Sequence, residues 1–258
     1  MKGFKTFIAV GLLALAMVPV TVSAMGLEAA VGAWNQDPTG NLSHNGDNLS
    51  IRDDLRYSDI TRIFGRVKIN TPLAFPNIYL MATPMEYDAT GSKGTSFHFG
   101  NIQFTANTPF SSELKLDHYD VGFYYGIPGL KTATAGVLNM DLGLDVRIID
   151  FKTRVTGQDS LTLQTVTESQ SFVLPAPMLY LGIQVKPLKW LAAEGEARGL
   201  TYGGSNYYYE AIGRAKLKPF GPVFVAGGYR YEKIKLDTND VKADASFSGP
   251  FGEAGVEF

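Results

Sequence analysis

The histidines have the most obvious chemical potential in this chain, because imidazole is the commonest general base in enzymes. His118 and Asp120 are two positions apart, so in a strand they would share a face and could pair. Ser96 and His98 have the same spacing, and His44 is expected to be a solvated loop residue. The sequence shows no phosphate loop, nucleotide motif or metal-spaced histidine cluster. We therefore expect no metal and no cofactor, and His118 with Asp120 is only a weak catalytic candidate.

Charged residues supply a second candidate site, because they recur at alternate positions of otherwise apolar segments. If these segments are strands of a closed barrel, their charged faces point into the lumen. The predicted lumen charge network consists of Glu28, Arg66, Lys68, Asp141, Asp145, Arg147, Glu194, Glu196, Arg198, Glu210, Arg214, Arg230, Glu232, Glu253 and Glu257. A barrel of about eight to ten strands is only wide enough for side chains, so we favour a plug of paired charges. The alternative is a narrow conduit whose charges select solutes.

The segments that would position these charges alternate strictly. From Leu138 to Ile148 every even position is apolar, and the odd positions are Asn, Asp, Gly, Asp and Arg. That length matches the ~9–11 residues of a membrane-spanning strand and exceeds the ~5–6 residues of a mean strand in soluble proteins. The same alternation recurs in segments that begin at Leu27, Arg62, His118, Leu179, Ala193, Tyr207 and Val223. The pattern predicts an all-β fold, a single-chain transmembrane antiparallel β-barrel.

The links between these segments predict the strand count. Short Pro- or Gly-containing links lie at 71–76, 126–131, 186–189 and 219–222. Longer polar links lie at 35–59, 88–112, 156–170, 203–206 and 238–245. Short and long links alternate, as expected when tight turns face the periplasm and loops face outward. This gives about ten strands, with eight or twelve as alternatives, and places 96–105 in a long outer hairpin.

Aromatic residues near the predicted strand ends have a simple interpretation. Amphipathic rings favour the headgroup zone of a membrane, so these residues are expected to form girdles around the barrel. The residues are Trp34, Tyr125, Trp190, Tyr202, Tyr207, Tyr209, Tyr229 and Tyr231.

The N-terminus predicts export. Lys2 and Lys5 precede an apolar stretch from Phe7 to Val20, and cleavage is expected after Ala24. Residues 1–24 would then be a signal peptide and 25–258 a single outer-membrane β-barrel domain. Loss of the two lysines changes the formal charge from −2 to −4, which argues against nucleic acid as a partner. The absence of cysteine excludes a disulfide-stapled domain and a lipoprotein.

The C-terminus has a terminal aromatic on an alternating strand. Phe258, Val256 and Ala254 lie on one face, and Glu257 and Glu253 lie on the other. This ending resembles the C-terminal signature of Gram-negative outer-membrane β-barrels, and the whole chain is similar to their small, largely uncharacterised families. The resemblance implies a cell outer-membrane location and closure of the barrel between the last strand and the first. It also implies that the assembly machinery reads Phe258 and Val256.

The resemblance gives architecture and location but leaves the activity open. We expect a monomer, not an enzyme, with a structural or surface-interaction role and with outer-membrane lipid and lipopolysaccharide as partners. A narrow channel or porin for small solutes is the alternative, and an outer-membrane lipid-modifying enzyme is a distant third. Outer-membrane proteases of the omptin type are also ten-stranded, but they use an Asp-x-His pair that this sequence does not contain.

Overall fold

A computed structural model describes residues 26–72, 75–202, 206–238 and 240–258, with only the backbone of Tyr202. The predicted signal peptide and Met25 lie outside these residues. The strands are β1 (Gly26–His44), β2 (Leu49–Ser50), β3 (Ile60–Asn70), β4 (Asn77–Thr83), β5 (Glu86–Gly91), β6 (Phe97–Phe99), β7 (Ile102–Phe104), β8 (Phe110–Gly126), β9 (Leu138–Gln158), β10 (Thr165–Leu188), β11 (Leu191–Tyr202), β12 (Asn206–Phe220), β13 (Val223–Thr238) and β14 (Val241–Glu257), with a short helix α1 (Leu130–Ala133) after β8. Within the described ranges, no helix is long and apolar enough to cross a membrane.

The main sheet closes on itself. Neighbouring strands pair antiparallel in the order β1, β3, β4 with β5, then β8 to β14, and β14 pairs back with β1. The described residues form ten barrel strands, because β4 and β5 are consecutive segments that both pair with β8. At the closure Leu27 and Phe258 exchange backbone hydrogen bonds of 3.3 and 2.8 Å. The predicted all-β, ten-stranded barrel with antiparallel closure is confirmed.

Alternation in β9 shows how the sequence makes the wall. Leu144, Val146 and Ile148 are exposed on the outer face, whereas Asp145 and Arg147 are buried in the interior. Because successive side chains of a strand point to opposite faces, one segment supplies both a lipid-facing surface and a charged lumen.

In the half of the barrel farther from the termini, the apolar side chains face inward and the charged side chains face outward. In β9 the inward-facing Ile149, Phe151 and Val155 are buried, while Lys152 and Arg154 point outward. The odd-numbered positions of β9 face inward along the whole strand, so no residue is inserted or skipped. What changes along the strand is the surroundings of its outer face, from lipid to water. Strands β9 and β10 have 21 and 24 residues, about twice what a membrane crossing needs. The barrel therefore projects beyond the membrane on its outer side.

This projection corrects the predicted bounds of several outer links. Strand β1 continues to His44, and β9 and β10 leave only 159–164 between them. The predicted links at 35–59 and 156–170 were therefore too long, because strand pairing persists outside the bilayer. His44 is also not a solvated loop residue, since it is buried and packs edge-on against Phe99 at 5.3 Å.

Two outer links fold back into the top of the barrel. The 45–59 segment buries Leu49, Ile51 and Leu55, and the β6–β7 hairpin buries Phe97 and Phe99. These side chains belong to one apolar cluster with the inward-facing residues of the projecting wall. We call this cluster the apolar plug. The predicted outer hairpin at 96–105 is confirmed.

Five of the eight residues predicted to form the girdle are exposed on the outside of the wall, as a girdle requires. Tyr125, Trp190, Tyr209, Tyr229 and Tyr231 are exposed on the outside of the wall, and Tyr209 stacks on Tyr231 with ring centres 6.0 Å apart. The described part of the chain does not include the side chain of Tyr202.

Trp34 contradicts the girdle prediction. Its position in β1 has the inward parity, and its side chain is completely buried. The indole ring packs under the guanidinium of Arg230 at 4.3 Å. Residue type alone suggested the membrane interface, but strand parity decides the direction of the side chain.

Candidate functional site in the barrel interior

The inward parity of the strands places every predicted member of the lumen charge network in the barrel interior. Most of these side chains are buried, whereas Lys68, Asp141 and Glu257 are half-buried and line the periplasmic mouth. The network includes two further residues, Asp120 and Lys216, which are buried beside the predicted members.

Glu210 on β12 is the centre of the upper part of the network. Its carboxylate accepts hydrogen bonds from Arg147 at 2.7 Å and from Arg198 at 2.8 Å, and Arg230 makes a third contact. All three guanidiniums are buried, so this carboxylate faces almost no water. Three cations around one buried anion form a cluster in which each charge depends on its neighbours.

Arg147 joins the same cluster to strand β8. Its guanidinium donates to both carboxylate oxygens of Asp120, at 2.6 and 3.2 Å, and to Glu232 at 3.0 Å. A further hydrogen bond of 2.7 Å reaches the hydroxyl of Tyr208, whose ring lies 4.8 Å beneath the guanidinium. The planar fork of arginine suits such bidentate contacts.

A second cluster lies nearer the termini. Glu253 on β14 accepts from Arg66 at 3.0 and 2.7 Å and from Arg214 at 3.0 Å. Arg214 also contacts Glu196, which accepts in addition from Lys68 at 2.8 Å. These contacts connect β3, β11, β12 and β14 across the lumen.

Lys216 completes the periplasmic end of the network. Its ammonium lies 2.9 Å from Glu28, 2.9 Å from Glu194 and 3.0 Å from Glu257. The sequence carried a signal for it, because Lys216 shares its face with Glu210 and Arg214 in the alternation of β12. Its position between three carboxylates follows only from the closed barrel.

Several contacts cross the full width of the barrel. Lys68 on β3 and Glu196 on β11 are joined at 2.8 Å, and these strands are half the circumference apart in the order of the wall. Arg230 on β13 and the ring of His118 on β8 are also half the circumference apart and lie 3.1 Å from each other. The lumen is therefore bridged by side chains at two levels.

Buried aromatic rings fill the space around the charges. The guanidinium of Arg198 lies 4.5 Å from the ring centre of Tyr79 and 5.1 Å from that of Tyr180. Lys68 lies 5.1 Å from the same Tyr79 ring. Cations stack favourably on aromatic faces, particularly where water is excluded. The rings thus stabilise the cations and narrow the lumen.

The two candidate catalytic residues do not pair with each other in the interior. The Nδ1 of His118 donates to the carbonyl of Leu116 at 3.2 Å, which leaves Nε2 to accept from Arg230 at 3.1 Å. Asp120 is held by both arms of Arg147. Each group is engaged by a different arginine, and each is buried.

The interior above the charges is apolar, which sequence reasoning missed. The apolar plug contains inward-facing residues such as Phe64, Ile149, Phe247 and Phe251. The sequence did contain a signal for it: along a single strand the apolar residues shift from the outward-facing positions to the inward-facing ones. In β13 the apolar residues change from the outward positions of Val223–Tyr231 to the inward Ile234 and Leu236.

The periplasmic side of the lumen is open. A vestibule of about 470 Å³ lies below the network and is lined by polar side chains including Lys68, Asp141, Gln184, Glu194 and Glu257. It reaches the network residues Glu196 and Glu28 at its inner end. Among the described residues, His, Asp and Glu form no group that could hold a metal ion.

Comparison with protein-family models gives no match, and no curated protein matches the chain. Solved structures match by fold. The outer-membrane protease OmpT from Escherichia coli is 8% identical and covers 94% of this chain and 99% of its own, with a TM-score of 0.56. The translocator domain of autotransporter NalP from Neisseria meningitidis is 12% identical over 99% of this chain and 96% of its own, with a TM-score of 0.44. The attachment invasion locus protein Ail of Yersinia pestis is 10% identical over 91% of this chain and 99% of its own, with a TM-score of 0.32.

At such identities a likeness shows the fold alone. The chain thus has the fold of Gram-negative outer-membrane β-barrel proteins, as its sequence predicted. That fold supports an outer-membrane location.

Proposed function

We propose that this protein is a non-conducting outer-membrane barrel with a structural or surface-interaction role. The observation that carries the proposal is the bridging of the lumen by ion pairs across its full width, as between the half-buried Lys68 and the buried Glu196 at 2.8 Å. A conducting pore needs charges that remain accessible to a passing solute. Here the charged groups are engaged with one another instead.

The apolar plug supports the same proposal from the outer side. Phe97 and Phe104 stack with ring centres 5.3 Å apart, and Phe97 meets Phe110 at 5.0 Å. Around this hairpin the apolar side chains are close-packed and leave no room for a hydrated ion. A solute from outside would have to cross this layer before it reached the charges.

A charged lumen also has a structural use in a barrel. The lipid-facing side is apolar, so an equally apolar interior would let a strand shift by one residue at little cost. Charges such as Arg147 and Glu210 fix which face points inward, because a one-residue shift would expose them to lipid.

The projecting wall supplies the surface for interaction. Glu113 on β8 and Lys152 on β9 point outward above the membrane and form an ion pair of 3.0 Å. Arg154, Lys235 and Lys242 are further exposed charges on this wall. Outward charges of both signs on a regular, pleated surface suit reversible contact with other molecules at the cell surface.

We infer further that the protein is not an enzyme. A general base needs a free lone pair within reach of its substrate. Both ring nitrogens of His118 are engaged, and Asp120 is occupied by Arg147. OmpT is a protease by name, but the likeness to it extends to the fold alone.

Planar-bilayer recording tests the sealed lumen. The purified protein, shown to be folded by heat-modifiable gel migration, should insert without stepwise conductance. A variant lacking 96–105 should also stay silent, because the charge network lies below the hairpin. Stable single-channel steps from the full-length protein would overturn the proposal in favour of a channel.

Lipid analysis tests the enzymatic alternative. Cells that express the His118→Ala or Asp120→Ala variant should have the lipid A and phospholipid profiles of cells with the unaltered protein. His98→Ala is the matched control, since His98 lies exposed on the outer hairpin. A profile that changes with His118→Ala and Asp120→Ala, but not with His98→Ala, would refute the non-enzymatic role.

A further inference from the structure

In the part of the chain that the structure describes, β10 and β11 are paired along only part of their length. Their ladder runs from the periplasmic end up to the pair of Leu179 and Gly199 and goes no farther. Above that pair, in the described part of the chain, Thr165–Met178 of β10 is paired only with β9. This stretch contains Pro175 and Pro177, which lack an amide hydrogen and are confined to strand edges.

The opposite side of this opening is formed by β12 and β13. Strand β12 begins at Asn206, so its ladder with β13 reaches no higher than Tyr207 and Lys235. Strand β13 continues to Thr238 beside β14. Among the described residues, the paired parts of β11 and β12 therefore end lower than those of the neighbouring strands, and we call the opening above these paired parts the lateral notch.

The described parts of β3 and β5 are also not paired with each other, but side chains fill the space between them. Arg62 lies within hydrogen-bond distance of the carbonyl of Glu86, and Gln36 donates to the carbonyl of Pro84 at 2.9 Å. The buried Tyr57 ring fills the space beside Tyr87, with ring centres 5.8 Å apart. The lateral notch differs because a cavity lies directly behind it.

That cavity is an apolar chamber of about 330 Å³, within the usual range for small-ligand sites. Its walls are Ile149 and Leu174 on one side, Leu200 at the hairpin, and Ile234 and Leu236 on the other. The buried Tyr208 ring forms its floor, and its hydroxyl is bonded to Arg147 and Glu232. The chamber is thus closed below by the charge network.

The chamber is continuous with the lipid-facing surface. An outer groove of about 860 Å³ shares Pro177, Leu200 and Tyr208 with the chamber. The same groove is also lined by Leu144, Val146 and Leu179, which are exposed in the apolar band of the wall. Through this groove the notch opens sideways toward membrane hydrocarbon, and the lower end of the notch lies at the level of the outward-facing Tyr207.

A cation lies at the mouth. Lys235 lines the chamber, and its ammonium is 4.0 Å from Asp244. The same carboxylate is in closer contact with Lys233. Two lysines thus share one carboxylate, which leaves positive charge at the rim of an apolar cavity.

We propose that the lateral notch binds one acyl chain of an anionic lipid of the outer leaflet, with its headgroup at Lys235. The chain lies in the chamber against Ile149, Leu174 and Ile234, and the negative headgroup stays at the membrane surface. The floor at Tyr208 makes this a binding site and not a path through the barrel. This lipid site is separate from the charged outer wall and would exist whether or not that wall contacts other molecules.

Depth-sensitive quenching tests this site, and the natural absence of cysteine makes single labels specific. The Ile234→Cys variant is labelled with bimane and reconstituted into phosphatidylcholine vesicles that contain nitroxide-labelled acyl chains. Val225→Cys on the lipid-facing surface is the positive control. Ile212→Cys is the matched interior control, because Ile212 faces inward where β12 is paired on both sides. Heat-modifiable migration verifies that each variant is folded.

The expected result is a loss of fluorescence at Ile234→Cys close to that at Val225→Cys, with Ile212→Cys protected. Nitroxide-labelled phosphatidylglycerol should quench more strongly than the phosphatidylcholine analogue. Lys235→Gln should reduce that preference about fivefold, the contribution typical of one lysine at an anionic surface.

An Ile234→Cys label as protected as the Ile212→Cys label would overturn the proposal. If the Ile234→Cys variant fails to fold, Leu174→Cys on the opposite wall serves in its place, under the same criterion. Equal quenching by both lipids, unaffected by Lys235→Gln, would overturn the assignment of an anionic headgroup.

Discussion

Replacement of Glu210 by glutamine is the sharpest test of how the interior is held together. The Glu210→Gln side chain has nearly the same shape but no charge, so packing is preserved while the centre of the network is neutralised. Arg147, Arg198 and Arg230 would then face an amide, whose nitrogen cannot accept their hydrogen bonds.

The expected cost follows from burial. Removal of one partner from a buried ion pair leaves an uncompensated charge and typically destabilises a protein by about 3–5 kcal/mol. Glu113→Gln is the matched control, because it removes the same charge from a solvent-accessible pair with Lys152 at 3.0 Å, in which the Glu113 side chain is 47% exposed and the Lys152 side chain 35% exposed. Ion pairs open to solvent contribute about 0–1 kcal/mol. The two variants should therefore differ by several kcal/mol in the free energy of unfolding.

Urea unfolding in lipid vesicles measures this difference. The fluorescence of the buried Trp34 is a suitable probe, since its ring packs on Arg230, a direct partner of Glu210. Midpoints and slopes then give the free energy by linear extrapolation. A Glu210→Gln variant within about 1 kcal/mol of Glu113→Gln would refute the reasoning, because the buried cluster would then contribute no more than a surface pair.

Three further predictions concern the wall and its closure. Deletion of Phe258 should reduce the heat-modifiable, outer-membrane fraction sharply, because it removes the backbone bonds to Leu27, and unchanged assembly would contradict this. Trp34→Ala should lower the free energy of unfolding by about 3–5 kcal/mol through loss of buried volume, and a loss below about 1 kcal/mol would exclude a packing role. Gly40→Ala should destabilise the protein much more than Gly221→Ala. Both glycines have a positive φ, but an added Cβ at Gly40 would lie 2.0 Å from a backbone oxygen, whereas one at Gly221 would face open space. Equal thermal midpoints for the two glycine variants would contradict that prediction.

The wall could be predicted because its rule is local. Alternation such as that from Leu138 to Ile148 fixes which side chains face lipid, whatever the neighbouring strands do. The same parity predicted that Arg147 and Glu210 point inward, and the structure places both there. The bounds of the outer links were not predictable from polarity, because a strand outside the bilayer still pairs while its outer face becomes polar.

Partner choice inside the lumen was beyond local reasoning. Lys68 and Glu196 are separated by 128 residues and meet because β3 and β11 lie on opposite sides of a closed ring. No spacing rule relates them. For the same reason, His118 and Asp120 share a face as predicted but bind different arginines. His118 contacts Arg230 on the opposite wall of the barrel, and Asp120 contacts Arg147 on the neighbouring strand.

Alternation and link lengths already indicated an antiparallel barrel of about ten strands with a charged interior, because both patterns can be read within single segments of the chain. Three features became visible only in the folded barrel: the charges bridge the lumen, an apolar plug covers them, and the described wall opens beside Pro175 and Pro177. The physical reason is the range of the interactions. Strand parity acts within a segment, whereas the closure of the ring sets which inward side chains meet and which strand edges lack a partner.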